Sequence, residues 1–100
     1  MHEILRHLTA GARVLDAGSR GGSYDPSLYP VKTIQLDLEA PASAAARAGY
    51  VQGDAARLPF AAASFDAVIA NHSLEHFENL EGALKELSRV VKPQGSVYVA

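Results

Sequence analysis

An α/β domain with a mostly parallel sheet is the fold predicted for this chain of 100 residues. Short apolar segments alternate with helical or loop segments, as in parallel strands joined by right-handed crossovers. The first apolar segment runs directly into a bend that contains Gly18, Gly21 and Gly22. Acidic residues follow three of the apolar segments, at the strand ends where open α/β sheets bind their ligands.

The chain opens with a predicted helix and strand. Residues 2–8 carry apolar side chains at helical spacing, and Gly11 is a suitable residue to end the helix. Residues 13–17 then form the first strand, which ends at the glycine bend. Glycine has no side chain and tolerates positive φ, so a ligand can approach the backbone of this bend closely.

A single helical turn and a second strand are predicted next. Asp25 is a suitable N-cap with Pro26 at the first helical position, and Pro30 ends the element. Residues 33–37 have the pattern of a second strand. Residues 40–49 are alanine-rich and are compatible with either a short helix or a loop.

Three further strands are predicted in the second half of the chain. Residues 50–52 form a short third strand, residues 65–70 form the fourth, and residues 97–100 begin a fifth. Because the chain stops inside this apolar strand, we expect a truncated domain and self-association through the exposed strand edge.

A helix over about residues 80–91 is predicted between the last two strands. Asn79 caps its start, and residues 93–95, Pro-Gln-Gly, end it. The side chains predicted to face the sheet form a stripe of Leu80, Leu84, Leu87 and Val91.

The composition argues against several classes of function. The formal net charge is −2, from 9 basic and 11 acidic side chains without a block of like charge, which argues against nucleic-acid binding and polybasic membrane binding. The chain has no cysteine, and no His/Asp/Glu grouping has convincing metal spacing, so we expect no metal site. Without a membrane-length apolar run or a signal-peptide pattern, we expect a cytoplasmic protein.

Three aspartates at strand ends carry the chemical signal. Asp16, Asp37 and Asp54 each close or follow an apolar strand, and a parallel sheet would gather them along one rim. A ligand with an ammonium group, a ribose diol and an exocyclic amine supplies donors for three such acceptors. Asp37 follows Asp16 by roughly 20 residues, the usual separation between a first strand end and a ribose-binding acid. Aspartate is also a common turn residue, so a structural role is the alternative for each.

The glycine bend distinguishes between two nucleoside ligands. A dinucleotide fingerprint requires three spaced glycines ahead of a helix that receives a pyrophosphate. Arg20 and Ser23 occupy the second and third of these positions, and Pro30 shortens the helix. S-adenosylmethionine carries no phosphate. It needs only a close approach to the backbone and acidic side chains that accept hydrogen bonds from its amino group and ribose. The pattern therefore favours it, and an NAD-dependent oxidoreductase is the weaker alternative.

Four ordered motifs resemble those of the class I S-adenosylmethionine-dependent methyltransferases. They are V-L-D-A-G-S-R-G-G at 14–22, G-D-A-A-R-L-P-F at 53–60, S-F-D-A-V-I-A-N-H-S-L-E-H-F at 64–77 and R-V-V-K-P-Q-G at 89–95. The resemblance implies a Rossmann-like three-layer sandwich with about five of the family's seven strands. It also implies methyl transfer to a small-molecule acceptor. A non-catalytic S-adenosylmethionine-binding module, or a remnant that needs a partner chain, is the alternative.

The resemblance implies which residues hold the methionine end of the cofactor. Asp16 and Gly18 would bind it, with Gly22 completing the loop. The backbone carbonyl of Asn71 would accept a hydrogen bond from the cofactor's ammonium group. Arg20 stands where the family has glycine, so it either reaches the cofactor carboxylate or lies in solvent.

The resemblance also places the adenosine end across the second and third strands. Asp37 would accept hydrogen bonds from the ribose hydroxyls, and Leu38 would lie against the adenine. Asp54 would accept a hydrogen bond from the adenine amino group, while the backbone N–H of Ala55 would donate to a ring nitrogen.

Two histidines after the fourth strand are candidates for a general base. The family places its substrate-facing segment there, and histidine titrates near neutral pH. His72 is the first candidate and His76 the second. The alternative is that these histidines and Glu75 tie the loop to the following helix.

Overall fold

A parallel sheet organises the residues that the computed structural model describes, which are 1–18, 22–39, 49–71 and 77–100. These residues form helices α1 (His2–His7) and α2 (Leu80–Val90), a 3-10 helix (Pro26–Leu28), and strands β1 (Arg13–Ala17), β2 (Lys32–Asp37), β3 (Tyr50–Gln52), β4 (Phe65–Ala70) and β5 (Val91–Val99). The strand order is β3-β2-β1-β4-β5, and all neighbouring pairs are parallel. The predicted α/β fold is confirmed.

The first half of the chain follows the sequence pattern closely. Leu5, which is 1% exposed, anchors α1 in the core. The carboxylate of Asp25 accepts a hydrogen bond from the backbone N–H of Ser27 at 2.9 Å and so caps the 3-10 helix. Most of the alanine-rich segment, predicted as a short helix or a loop, lies outside the described residues.

Both faces of the sheet are covered, so the core has two halves. Successive side chains of a strand point to opposite faces. Val14 packs with Leu5 on the α1 side. Leu15 packs with Phe65 and Leu87 on the α2 side. Burial on both faces explains why the central strand β4 is an almost continuous apolar run, without the alternation of a half-exposed strand.

The inward face of α2 differs from the predicted stripe. Leu80 and Leu84 are 43% and 40% exposed, whereas Leu87 is 1% exposed. The buried residues of this helix are Ala83, Leu87 and Val90, which lie on one face at helical spacing. The prediction is correct for Leu87 and wrong for Leu80 and Leu84, because the small side chain of Ala83 faces the sheet and allows the helix to pack closely.

Strand β5 begins directly after α2 and earlier than predicted. Val91 pairs with Phe65, but the next pair joins Ser96 to Ala67, so the intervening residues bulge from the ladder. A Cβ atom on Gly95 would lie 2.7 Å from a backbone oxygen of β4, which explains the glycine at this close approach. The prediction that Val91 belongs to the helix is therefore wrong, as is the prediction that residues 93–95 end it.

Strand β5 lies at one edge of the sheet. Val97 and Val99 are 43% and 38% exposed, so this strand presents apolar surface. Self-association through the edge stays a prediction.

Among the described residues, the helices are too short and too polar for any of them to span a bilayer.

Tyr24 closes the α1 side of the core beside the glycine bend. It is 9% exposed and meets Tyr29 edge-on, with ring centroids 5.7 Å apart. Its hydroxyl oxygen lies 2.7 Å from the hydroxyl oxygen of Thr33. Burial raises the pKa of Tyr24 to about 12, with a smaller contribution from the Asp16 carboxylate, although the hydrogen bond with Thr33 opposes the shift.

We expect the free energy of unfolding to fall as the pH rises from 10 towards 12. In this range the unfolded chain loses the Tyr24 proton while the folded chain keeps it, so ionisation stabilises the unfolded state. Tyr24→Phe should remove this part of the pH dependence and should cost about 0.5–1.5 kcal/mol at neutral pH through the lost hydrogen bond. Urea unfolding across this range is the measurement.

The matched control for this prediction is Tyr98→Phe, which leaves Tyr24 in place and should keep the alkaline fall in stability. If Tyr24→Phe retains the full fall, the buried phenol is not its source.

Candidate functional site

The carboxyl ends of β1, β2 and β3 and the start of α2 enclose a cavity of about 150 Å³. Five of the predicted cofactor-binding residues line it: Gly18, Asp37, Leu38, Asp54 and Ala55. The volume is smaller than the roughly 300–1,000 Å³ of most small-molecule pockets. The described residues therefore enclose only a small cavity at this edge of the sheet.

The sheet register brings these strand ends together. Beyond the end of β1, the backbone N–H of Gly18 donates to the carbonyl of Leu36 at 2.7 Å. Beyond the end of β3, the backbone N–H of Gly53 donates to the carbonyl of Asp37 at 2.8 Å. These two bonds extend the strand pairing on both sides of β2, so the residues that follow the three strands share one rim.

Asp37 and Leu38 form the rim of the cavity after β2. Asp37 Oδ1 accepts a hydrogen bond from the backbone N–H of Glu39 at 3.4 Å. The Gln52 amide donates to the carbonyl of Leu38 at 2.9 Å, which ties this turn to β3. Leu38 is 55% exposed, so a large apolar side chain stands beside a carboxylate at the mouth of the cavity.

Asp54 and Ala55 form the opposite wall after β3. Asp54 Oδ1 accepts a hydrogen bond from the backbone N–H of Ala56 at 2.9 Å, and its carbonyl accepts from Arg57 at 2.9 Å. Ala55 is 5% exposed and packs in the core on the α2 side. This wall is therefore a hydrogen-bonded turn anchored by a buried side chain.

Asp16 holds the glycine bend and does not line the described cavity. Its Oδ2 accepts from the backbone N–H of Ser23 at 2.7 Å, and its Oδ1 accepts from the Ser23 hydroxyl at 2.6 Å. The side chain is 1% exposed. The role of Ser23 was missed by reasoning from sequence, where its position counted only as a missing glycine. Serine is a common donor in turns, and this was the available signal.

Gly22 lies at the end of the bend in a conformation that favours glycine. Its φ is +97°, and an added Cβ atom would lie 2.6 Å from the side-chain nitrogen of Gln35. Like Asp16, it does not line the described cavity. Glycine adopts this positive φ without strain, and the predicted part of Gly22 in completing the cofactor loop stays a prediction.

Asn71 is half-buried immediately after β4 and also lies outside the cavity lining. The two candidate bases, His72 and His76, lie outside the described residues, as does Arg20. Their predicted roles therefore stay predictions.

Five lining residues were not predicted as part of a site: Leu36, Phe77, Glu78, Asn79 and Ala83. Asn79 Oδ1 accepts from the backbone N–H of Gly82 at 2.9 Å and caps α2 as predicted. A helix that begins after β4 starts at the carboxyl edge of the sheet. The predicted cap was therefore a signal that this turn would border the site.

A second, wider depression of about 600 Å³ lies between α1 and β5. Its charged lining includes Asp66, whose carboxylate accepts from the backbone N–H of Arg13 at 2.8 Å and from Lys92 Nζ at 3.0 Å. These residues lie at the amino ends of β1 and β4, opposite the strand ends at which α/β sheets bind ligands. The smaller cavity is therefore the candidate site despite its size.

The chain belongs to a family of methyltransferases, since the family described as "Methyltransferase domain" matches residues 15–99. The demethylmenaquinone methyltransferase of Beutenbergia cavernae is 36% identical over 97 residues, which cover 90% of this chain and 40% of that protein. The demethylmenaquinone methyltransferase of Mycolicibacterium paratuberculosis is 45% identical over 58 residues, which cover 58% and 25%. The chain spans less than half the length of these relatives.

Solved structures confirm the Rossmann-like fold. A Bacillus halodurans protein assigned to the methyltransferases superimposes with a TM-score of 0.80 at 29% identity, over 96% of this chain and 48% of that chain. The 1,6-didemethyltoxoflavin-N1-methyltransferase of Burkholderia thailandensis, with bound 1,6-didemethyltoxoflavin and S-adenosylhomocysteine, gives a TM-score of 0.76 at 24% identity, over 94% and 46%. The predicted membership of the class I S-adenosylmethionine-dependent methyltransferases is confirmed.

Proposed function

We propose that this chain forms the S-adenosylmethionine-binding part of an enzyme that transfers a methyl group to a small-molecule acceptor. The observation that carries the proposal is the cavity at the carboxyl edge, where Asp37 and Asp54 stand beside the exposed side chain of Leu38. Carboxylates accept hydrogen bonds and an apolar wall packs against a flat base, so the lining fits a nucleoside with free hydroxyls and an amino group.

At the adenosine end, the proposed contacts follow the two walls of the cavity. Asp37 accepts hydrogen bonds from the ribose hydroxyls, and Leu38 packs against the adenine. The Asp54 carboxylate accepts from the adenine amino group. Since Asp54 Oδ1 already accepts from Ala56, we assign Oδ2 to the base. The backbone N–H of Ala55 donates to a ring nitrogen.

At the methionine end, the backbone of Gly18 and the carbonyl of Asn71 are the proposed contacts. Asp16 and Gly22 act through the shape of the bend, because the Asp16 carboxylate is bonded to Ser23 and is buried. Their proposed role is to hold the backbone of the bend at the distance that the cofactor requires.

When bound, S-adenosylmethionine supplies a methyl group already activated by its sulfonium. The protein then has to hold the acceptor atom in line with the S–CH₃ bond at roughly 3 Å. Where the acceptor is a hydroxyl or an amine, we propose that His72 removes its proton, with His76 as the second candidate. Both residues follow β4 in the chain.

The named relatives support the choice of acceptor class. Two of them are demethylmenaquinone methyltransferases, and a quinone is a small molecule. The cofactor is supported by the family and by the Burkholderia thailandensis protein of the same fold, which holds S-adenosylhomocysteine.

Titration calorimetry with S-adenosylhomocysteine tests the cofactor site. We expect the chain to bind S-adenosylmethionine and S-adenosylhomocysteine and not NADH, because the cavity provides carboxylate acceptors and the bend lacks the second and third fingerprint glycines. A folded chain that prefers NADH, or that binds neither adenosyl compound, would exclude this proposal.

Formation of S-adenosylhomocysteine in the presence of a demethylated quinol, the reduced form that carries hydroxyl groups for a base to deprotonate, tests the transfer step. Turnover that is lost in His72→Ala, with cofactor affinity retained, supports the proposed base, and the same result for His76→Ala supports the second candidate. Cofactor binding without turnover on any acceptor would identify a binding module instead.

A further inference from the structure

Two charged side chains of α2 hold the backbone of the segment that precedes β4. Glu86 Oε1 accepts a hydrogen bond from the backbone N–H of Leu58 at 2.9 Å. Arg89 donates from Nη2 to the Leu58 carbonyl at 3.1 Å and from Nη1 to the Phe60 carbonyl at 2.9 Å. Arg89 Nε donates to Glu86 Oε2 at 2.5 Å, which joins the two side chains into one unit.

The segment held in this way leads directly into one wall of the proposed cofactor site. Asp54 and Ala55 line the cavity, and Leu58 directly follows the turn that they begin. The backbone N–H of Arg57 donates to the Asp54 carbonyl at 2.9 Å, so a hydrogen-bonded turn joins the cavity wall to the residue before Leu58. Leu58 is 6% exposed and shares a core cluster with Ala55. A shift of Leu58 would therefore move the cavity wall.

We infer that Glu86 and Arg89 are positioning residues for adenine recognition. They hold the backbone of Leu58 so that the Asp54 carboxylate and the Ala55 N–H face the base. Neither side chain lines the described cavity, so both act through the turn. This inference rests on the proposed function.

The chemistry of the pair suits this task better than a general contribution to stability. Arg89 presents donors in a rigid planar fork, which here spans one carboxylate and two backbone carbonyls. The hydrogen bond from Arg89 holds the pKa of the Glu86 carboxyl below its usual range, so Glu86 stays an ionised acceptor for Leu58. The side chain of Arg89 is 37% exposed and that of Glu86 is 20% exposed. Ion pairs that are partly solvated contribute little to global stability.

The test is discrimination between S-adenosylhomocysteine and S-inosylhomocysteine, measured by calorimetry as the ratio of the two Kd values. Inosine presents a carbonyl and an N–H where adenine presents an amino group and a ring acceptor, so it reverses both proposed contacts. We expect the unchanged chain to prefer the adenosyl compound by about tenfold or more. In Arg89→Ala this ratio should approach one, and Arg89→Lys should restore part of it.

Lys85→Ala is the matched control, because Lys85 pairs with Glu81 at 3.6 Å on the same helix, with both side chains highly exposed. It should keep the discrimination ratio. Glu86→Gln provides a second test if Arg89→Ala does not fold. The side-chain oxygen of glutamine can still accept a hydrogen bond from the Leu58 N–H, but it no longer forms an ion pair with Arg89. A partial fall in the ratio is expected there.

A folded Arg89→Ala or Glu86→Gln chain with unchanged discrimination overturns the inference and leaves the cofactor site standing. A global loss of stability alone would not change the ratio for the folded fraction. If the unchanged chain binds neither compound, the proposed function fails first, before any substitution is made, and this inference fails with it.

Discussion

Leu87→Ala is expected to lower the free energy of unfolding by about 2–5 kcal/mol, because it removes buried methyl groups and leaves a cavity between α2 and the sheet. Leu87 is 1% exposed and shares a cluster with Leu15, Phe65 and Val90. A domain of this size has a total stability of only about 5–15 kcal/mol, so the variant should approach the limit of folding. Urea unfolding monitored by circular dichroism measures the change.

Leu84→Ala is the matched control on the same helix. Leu84 is 40% exposed, and the substitution changes helix propensity by the same small amount as at Leu87. Its cost should stay below about 1 kcal/mol, since surface substitutions rarely exceed this. Equal losses for the two variants would mean that α2 is rotated about its axis relative to the structure, with Leu84 facing the core as the apolar spacing alone suggests.

Asp37→Ala is expected to weaken the binding of S-adenosylhomocysteine by about 1–3 kcal/mol, through the loss of charge-assisted hydrogen bonds to the ribose. The carboxylate stands at the rim of the cavity after β2, where Asp37 Oδ1 accepts a long hydrogen bond of 3.4 Å from the backbone N–H of Glu39. Calorimetric titration of the variant measures the change directly. The fold should persist, because Asp37 is only partly buried.

Asp25→Asn serves as the control for this substitution. It removes one negative charge from an exposed cap of the 3-10 helix, away from the cavity lining, and asparagine also caps helices well. It should bind S-adenosylhomocysteine as tightly as the unchanged chain. If Asp37→Ala also binds with unchanged affinity, Asp37 does not contact the cofactor.

Most strand bounds could be predicted because buried parallel strands are short apolar runs with clear ends. Residues 65–70 show this best, since the apolar run and β4 coincide. The rotation of α2 could not be predicted in the same way. Leu80 and Leu84 satisfy helical spacing as well as Ala83 and Val90 do, and only packing against the sheet shows which face is buried. The start of β5 was missed because a bulge interrupts its pairing with β4.

Some features of the candidate site could likewise be predicted from the sequence, and others could not. That Asp37, Leu38, Asp54 and Ala55 lie together follows from strand ends that share one edge, and this was predictable. Asp16 was also predicted to bind the cofactor; its carboxylate accepts hydrogen bonds from Ser23 and is buried, and its predicted role stays a prediction. A sequence shows that an acidic residue lies at the end of a strand. It does not show which hydrogen-bond donor the folded chain brings to the carboxylate.

The fold class, the family and the edge of the sheet that carries the candidate site could all be predicted from the sequence. These properties depend on local patterns: apolar runs, a glycine bend and acids at strand ends. The folded structure was needed to show which face of α2 is buried, that Ser23 donates to Asp16, and that Glu86 and Arg89 reach the backbone at Leu58 and Phe60. The contacts of Glu86 and Arg89 join residues far apart in the chain, and packing geometry, which no local pattern encodes, selects their partners.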